Sequence, residues 1–344
     1  MKIIDLFSGI GGFSLGFQKA GYQFTEHYFS EIDKHAIANY KYNFPHAKHI
    51  GDITTLHGGD FTDIDIITFG SPCQDFSLAG KRAGLAGAKS SLIAHAIALI
   101  AQLRPSIFIW ENVKGAFSSN AGADFWAIIQ AFANIGGYRL EFQLLNTSWL
   151  LPQNRERIYL VGHLAGRSVP GVFPIGENDK LLDRKTRKEN RKRTSIKTSL
   201  ARTITSRYHK MGSNDTYIIP KVAATLTGGG HSGGLHSDMT VIQLNPSKES
   251  NGRQPYQQNR VFDERGISPA LTRHNSNYAI SRMRRLTEIE CERLQGFPDN
   301  WTQYGNYDGT IKPIAKTQRY KLIGNAVTVD IVELIAKRLK FIQQ

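Results

Sequence analysis

Over its first 162 residues this chain alternates between two hydrophobic periods, and that alternation limits its fold more than any other feature. Short runs rich in β-branched and aromatic residues stand at KIIDLF (2–7), YFSEI (28–32), DIDIITF (63–69), SIFIWE (106–111), EFQLLN (141–146) and RIYLVG (157–162). Between several of them, apolar residues recur at helical spacing: DKHAIANYKYNF (33–44), SSLIAHAIALIAQL (90–103) and ADFWAIIQAFANI (123–135). Strands that are apolar at nearly every position are buried on both faces, and the intervening helices supply the cover. The expected fold is α/β, a doubly wound and mostly parallel sheet of Rossmann-like type. Ligands bind such a sheet beyond the carboxyl ends of its strands, so the residues that close each run carry the chemistry.

The texture changes at residue 163. Up to 283 the helical periods vanish and Gly, Ser, Thr, Asn, Arg and His dominate. ARTITSRY (201–208), AATLTGGG (223–230) and SPALTRHN (268–275) echo one another, each followed by a polar loop and a short apolar group, YII (217–219), TVI (240–242) or YAI (278–280). The pattern suggests strand–loop–strand units in a smaller, mainly β or irregular domain, although turn-forming sequences also resemble one another by coincidence. The formal net charge of +14 is concentrated here. Residues 1–162 carry 13 basic and 13 acidic side chains, residues 163–283 carry 20 and 9, and residues 284–344 carry 10 and 7. One run such as DRKTRKENRKR (183–193) serves equally as a solvated surface. An excess spread over the whole middle favours a nucleic-acid partner. Helical periodicity returns in TEIECERLQGF (287–297) and VDIVELIAKRLKFI (329–342). The expected organisation is a first domain at 1–162, an inserted domain at 163–283, and a return segment at 284–344 whose helix completes the first.

Two cysteines, Cys73 and Cys291, lie far apart with no metal-ligand spacing. They suggest a reducing compartment, and no metal is expected. The start is too short in apolar residues and too rich in glycine for a signal peptide, and no run approaches a membrane span. A soluble intracellular protein is expected.

The first run opens into DLFSGIGGFSLGF (5–17), with Gly9, Gly11 and Gly12 between strand and helix. A dinucleotide fingerprint would need glycine where Ser14 stands, which disfavours an NAD oxidoreductase. Glu31 closes the second run 20 residues beyond Gly11, placed to accept from both ribose hydroxyls, and Asp52 in GDIT (51–54) is placed for an adenine amino group. An adenosine cofactor without pyrophosphate fits, S-adenosylmethionine better than NAD. The run at 63–69 leads into GSPCQDFS (70–77), which puts the Cys73 thiol on an exposed turn at the same edge. A thiol of pKa about 8.5 becomes a nucleophile where its surroundings favour the thiolate. Cys291 reads as core packing. Glu111 closes the run at 106–111 after IFIW, where desolvation should raise its pKa and let it donate a proton. In QNRERIYLVG (153–162), Gln153, Arg155 and Arg157 share one strand face, and Asn154 and Glu156 share the other. Two guanidinium groups together need anionic or carbonyl partners.

These motifs resemble the DNA (cytosine-5)-methyltransferase family in its bacterial and phage modification form. The resemblance runs through DLFSGIGGF, Glu31 with Asp33, GDIT, GSPCQDFS, ENV, QNRERIYLVG, RRLTEIECERLQGFPDNW (284–301) and YKLIGNAVTVDIVELIAKRL (320–339), in family order, and omits only the middle. Where many members carry Asp-x-Arg-Gly, this chain has AGAKSSLI (86–93), which leaves the phosphate contacts of that loop open. The resemblance implies a class I S-adenosylmethionine-dependent methyltransferase fold with a target-recognition domain, binding double-stranded DNA as a monomer in the cytoplasm, bacterial or phage-encoded, and it leaves room for a cognate restriction endonuclease that acts independently. It implies that Cys73 attacks carbon 6 of a flipped cytosine, Glu111 protonates nitrogen 3, Arg157 holds the base carbonyl, and Arg155 orients the thiol loop or a phosphate. The cofactor pocket would comprise Phe7, Gly9, Gly11, Gly12, Glu31 and Ile32, then Asp52, Ile53, Pro72 and Leu92, with Asn325 and Ala326 returning from the far end. Gln74, Ser77, Lys81 and Arg82 would meet DNA from the loop at 70–85, which should close over the base on hinges at Gly70, Gly80 and Gly84. Arg207, Arg273, His274 and Asn275 are candidate base readers. An RNA methyltransferase of the same family and a catalytically silent DNA-binding relative are the alternatives; the large insert argues against the first and the intact Cys73, Glu111 and Arg157 against the second.

Overall fold

The structure is a computed structural model that describes residues 1–71, 92–117, 122–176, 201–202, 217–218 and 284–342. The chain divides into two compact units, one of residues 1–215 with 287–344 and one of residues 216–286. In the smaller unit the described secondary structure is a short antiparallel pair, Tyr217 opposite Arg285 and Ile218 opposite Arg284. The three echoing segments fall almost wholly outside the described residues.

The larger unit is built on a seven-stranded sheet. Its strands are β1 (Lys2–Leu6), β2 (Glu26–Ser30), β3 (Lys48–His49), β4 (Ile66–Gly70), β5 (Ile107–Val113), β6 (Tyr138–Asn146) and β8 (Glu156–Leu164), with a two-residue β7 (Gln153–Asn154) beside them. The order is β3-β2-β1-β4-β5-β8-β6. The first five run parallel, and β8 is antiparallel to both β5 and β6. The sheet is therefore mostly parallel, with an antiparallel pair at one edge. The reversal has a simple cause: only residues 147–155 separate β6 from β8, too few for the crossover a parallel pair requires.

Successive strand residues point to opposite faces, which explains the continuous apolar runs. Ile4, Leu6, Ile67, Phe69, Phe108 and Trp110 pack into one core with Ile93, Ala96 and Ile100 of the helix Leu92–Leu103 and Phe125, Ile128 and Phe132 of the helix Ala123–Ala133. Ile3, Ile66, Ile107 and Ile109 form the other with Phe13 and Phe17 of α1 (Gly12–Lys19) and Ile331, Val332 and Ile335 of a helix at Val329–Arg338. The segment after residue 287 is thus part of this unit. Further ties hold it there: Trp301 Nε1 donates to the Ile10 carbonyl at 2.9 Å, and Gln153 Nε2 to that of Leu294 at 2.8 Å. The last helix is shorter than its periodicity implies. It stops at Arg338, and Lys340–Phe341 instead pairs antiparallel with Ser168–Val169. Cys291 is fully buried in the helix Glu288–Leu294, which Thr287 and Glu290 cap reciprocally.

Candidate active site

The strand order reverses between β1 and β4, so the crevice of the sheet opens where the chain leaves these two strands. The turn after β1 is left-handed at Phe7 (φ 51°), Gly9 (φ 53°) and Gly11 (φ 81°). The glycines differ in purpose. A Cβ on Gly11 would run into the Phe44 ring, and one on Gly12 would lie 2.7 Å from Val327 Cγ2. Those two are small because neighbours press on them. A Cβ on Gly9 would meet nothing within 4 Å, so Gly9 alone faces open space. Its N–H donates to Glu31 Oε2 at 2.9 Å, while Glu31 Oε1 accepts from the N–H groups of Ile32 (2.8 Å) and Asp33 (2.9 Å). Three of about four acceptor directions on this carboxylate are filled, so one remains for a ligand hydroxyl.

Ile32 beside it is 73% exposed, an apolar surface standing at the mouth of the crevice. Asp52 is exposed, and its Oδ1 accepts from Thr54 N–H at 3.0 Å. The Ile53 side chain belongs to the core, which leaves only its backbone for a ligand. Phe7 and Leu92 pack partly buried against the same core. Asn325 is exposed, and Ala326 is buried with its carbonyl turned to Arg155.

Glu111 sits at the end of β5, opposite Gly70 of β4 on one side and Tyr159 of β8 on the other. It is buried, and Arg157 Nε lies 3.1 Å from its Oε1. Burial raises the Glu111 pKa above the usual carboxylate value of 4.5 against the opposing pull of Arg157 and Arg155. A Cβ on Gly70 would lie 3.0 Å from Glu111 Oε2, so glycine there preserves the room the carboxyl occupies. Arg157 Nη1 donates to the Glu156 carbonyl at 2.8 Å. Arg155 is 3% exposed and donates through Nη2 to the Ala326 carbonyl at 2.9 Å, with longer bonds of 3.4 Å to that of Gly324. Burial lowers its pKa to about 9. The two arginines, equivalent in the strand pattern, have diverged: Arg157 faces the acid, and Arg155 holds the backbone of the return segment.

Pro72, Cys73, Gln74, Ser77, Lys81 and Arg82 lie outside the described residues, as do Arg207, Arg273, His274 and Asn275. The point of departure for the thiol loop is nevertheless fixed. Ser71 Oγ accepts from Trp110 Nε1 at 3.0 Å, and Asn112 Nδ2 donates to the Ser71 carbonyl and Oγ at 3.1 Å each. Asn112 Oδ1 meanwhile accepts from Val113 N–H at 2.7 Å. Sequence reasoning missed Trp110 and Asn112 as supports; the signal was the polar pair closing IFIWEN. It also missed Asp5, the lone acid inside β1. Among the described residues no group of His, Cys, Asp or Glu could hold a metal ion, and no described helix is long and apolar enough to cross a membrane.

Residues 1–341 match the family described as C-5 cytosine-specific DNA methylase. The type II methyltransferase M.Bsp6I of Bacillus sp. (strain RFL6) is 29% identical, with 98% of each chain covered. The type II methyltransferase M.NgoBI of Neisseria gonorrhoeae is 31% identical, covering 98% of this chain and 92% of its own. Among solved structures, the Dnmt2 methyltransferase of S. pombe shares the fold at TM-score 0.57 and 17% identity, covering 97% of this chain and 96% of its own.

Proposed function

Because the chain belongs to the C-5 cytosine-specific DNA methylase family, we propose that it transfers a methyl group from S-adenosylmethionine to carbon 5 of a flipped-out cytosine in a specific double-stranded DNA sequence, through a covalent adduct with Cys73. The observation that carries this reading is the buried Glu111–Arg157 pair at the strand edge beside the anchored exit of the Cys73 loop.

The crevice suits S-adenosylmethionine. Gly9 gives an open approach, Glu31 keeps an acceptor for a ribose hydroxyl, Ile32 offers an apolar face for adenine, and Asp52 stands exposed for its amino group. When bound, the cofactor supplies a methyl group on a sulfonium centre, which is electrophilic and leaves behind a neutral thioether. Carbon 5 of cytosine is too weak a nucleophile to take that methyl unaided. Addition of the Cys73 thiolate to carbon 6, with Glu111 giving its proton to nitrogen 3, makes the ring an enamine that is reactive at carbon 5. A carboxyl whose pKa is raised by burial holds that proton nearer neutrality than an ordinary glutamic acid does. Arg157, with Nε toward Glu111 and Nη1 on a backbone carbonyl, keeps Nη2 for the base carbonyl. Loss of the carbon 5 proton to water then expels the thiolate, nitrogen 3 returns its proton to Glu111, and the aromatic ring is restored.

The base must leave the stack for this chemistry, at a cost of a few kcal/mol. In this reading residues 1–162 are catalytic, the basic middle at 163–283 recognises the target, and residues 284–344 complete the catalytic domain. A monomer suffices when each strand is methylated in a separate encounter, and a restriction endonuclease of matching specificity would act as a separate protein.

The test is methyl transfer from labelled S-adenosylmethionine to duplex DNA and to tRNA, followed by incubation with DNA carrying 5-fluorocytosine in the methylated site. Labelled duplex DNA and a covalent complex that Cys73→Ser abolishes are expected. Transfer to tRNA alone, or turnover undiminished in Cys73→Ser, overturns the proposal.

A further inference from the structure

Beneath the cofactor turn lies a group of polar side chains to which the reaction assigns no task. Asp5 is fully buried inside β1. Its Oδ1 accepts from Thr68 Oγ1 of β4 at 2.9 Å. Its Oδ2 lies 3.2 Å from Ser14 Oγ in α1 and 3.1 Å from Tyr40 OH in the helix Lys34–Asn43. Those two hydroxyls are 2.7 Å apart, and His27 Nε2 of β2 is 2.9 Å from the first and 2.8 Å from the second. Four polar atoms thus make five close contacts, and each contact needs a hydrogen between its atoms. Ser14 and Tyr40 bring one each, and His27 brings one more only as its Nε2–H tautomer. With Asp5 ionised, at least two contacts set lone pair against lone pair; one further proton relieves one of them.

Among the described residues no cation stands in to neutralise the carboxylate. The charged group acting on it is Glu31, of like sign; of the titratable groups in the cluster, Tyr40 bonds it directly and His27 meets it through Ser14 and Tyr40. The cluster also explains a departure from the dinucleotide pattern. Ser14 occupies a position where that pattern has glycine, and here its hydroxyl ties the first helix to Asp5. Through Ser14 and Tyr40 one carboxyl joins the two helices that follow the loops carrying Gly9 and Glu31.

We propose that Asp5 is a positioning residue that holds the cofactor turn in its binding shape by sharing one extra proton with Ser14, Tyr40 and His27, so that cofactor affinity falls when this proton is lost. The proposal rests on the reading of the turn as the S-adenosylmethionine site. Burial independently pushes the Asp5 carboxyl up to about 7 and His27 down to about 4, which places the proton on the aspartate side of the cluster.

The experiment is calorimetric titration of the full chain with S-adenosylhomocysteine between about pH 6 and about pH 8.5. Affinity is expected to fall above neutrality by up to about tenfold per pH unit, the limit for one linked proton. Asp5→Asn keeps the shape and supplies amide hydrogens at every pH, so its affinity is expected to stay level across the range. A level wild-type profile overturns the proposal, as does the wild-type slope persisting in Asp5→Asn, which would assign it to another group. If Asp5→Asn fails to fold, Tyr40→Phe removes one hydroxyl from the cluster and must displace the wild-type midpoint; an unmoved midpoint is equally fatal. Binding without pH dependence defeats the proposal alone, whereas no binding at any pH defeats the reading of the turn as well.

Discussion

Replacing Glu111 by glutamine separates what its carboxyl does for chemistry from what it does for the fold. Arg157 Nε is 3.1 Å from Oε1, and at an effective dielectric of about 20 the bare attraction is about 5 kcal/mol. Taken alone, that figure says the substitution unfolds the enzyme. Against it stands the penalty of several kcal/mol for removing a carboxylate from water. The direction of the pKa decides between them: it is raised, so burial outweighs both arginines and the folded protein disfavours the charge. A group with a raised pKa contributes stability that is complete below its unfolded value, here 4.5, and is lost as pH rises through the folded value. Glutamine mimics the protonated side chain at all pH, and its oxygen still accepts from Arg157. Glu111→Gln is therefore expected to equal or exceed wild type in stability at pH 7, the difference closing as the pH is lowered toward 4.5. Methyl transfer should nevertheless fall by about 10²- to 10⁴-fold, the usual contribution of a general acid. Urea denaturation across pH and single-turnover transfer from labelled cofactor measure the two. A variant less stable than wild type by about 3 kcal/mol at neutral pH, or one turning over within about tenfold of wild type, refutes the reasoning.

Arg155→Met empties a buried site of its bonds to the Gly324 and Ala326 carbonyls; a loss of about 2–4 kcal/mol of stability and weaker S-adenosylhomocysteine binding are expected from denaturation and calorimetry. Gly11→Ala places a methyl against Phe44 at a left-handed position (φ 81°), and the strain and overpacking should together cost about 2–4 kcal/mol in urea unfolding. Asn112→Leu leaves the Ser71 carbonyl without its donor. Covalent trapping on fluorinated DNA should slow at least about tenfold while calorimetric cofactor affinity stays unchanged.

Much of the catalytic core was legible because its strands are buried on both faces. Runs such as DIDIITF and SIFIWE announce themselves, and the chain must turn at their ends, which points to Gly9, Glu31 and Glu111. The antiparallel edge was not legible, since burial patterns carry no strand direction; the shortness of the 147–155 link was the available clue. The separate fates of Arg155 and Arg157 were hidden too. The alternating pattern puts both on one face, but β8 begins at Glu156, so Arg155 precedes it, and only the path of residues 324–326, coming from far along the sequence, gives Arg155 its carbonyl partners. Asp5 was overlooked because one acid in an apolar run looks like an irregularity. Its partners are supplied by three separate strands or helices besides β1, two of them helices, and no local pattern links them.

The helix at 329–338 has a consequence for the order in which the enzyme can be made. Tyr22 donates to the Ala336 carbonyl across 314 residues, and α1 covers its face of the sheet only in part, the rest staying bare until that helix arrives. At synthesis rates of about 5–20 residues per second, Ile3, Phe13 and Phe17 wait roughly 15 to 60 s on the ribosome for their cover. Nascent chains that stall in the basic middle would present this bare apolar face, making them natural clients for chaperones.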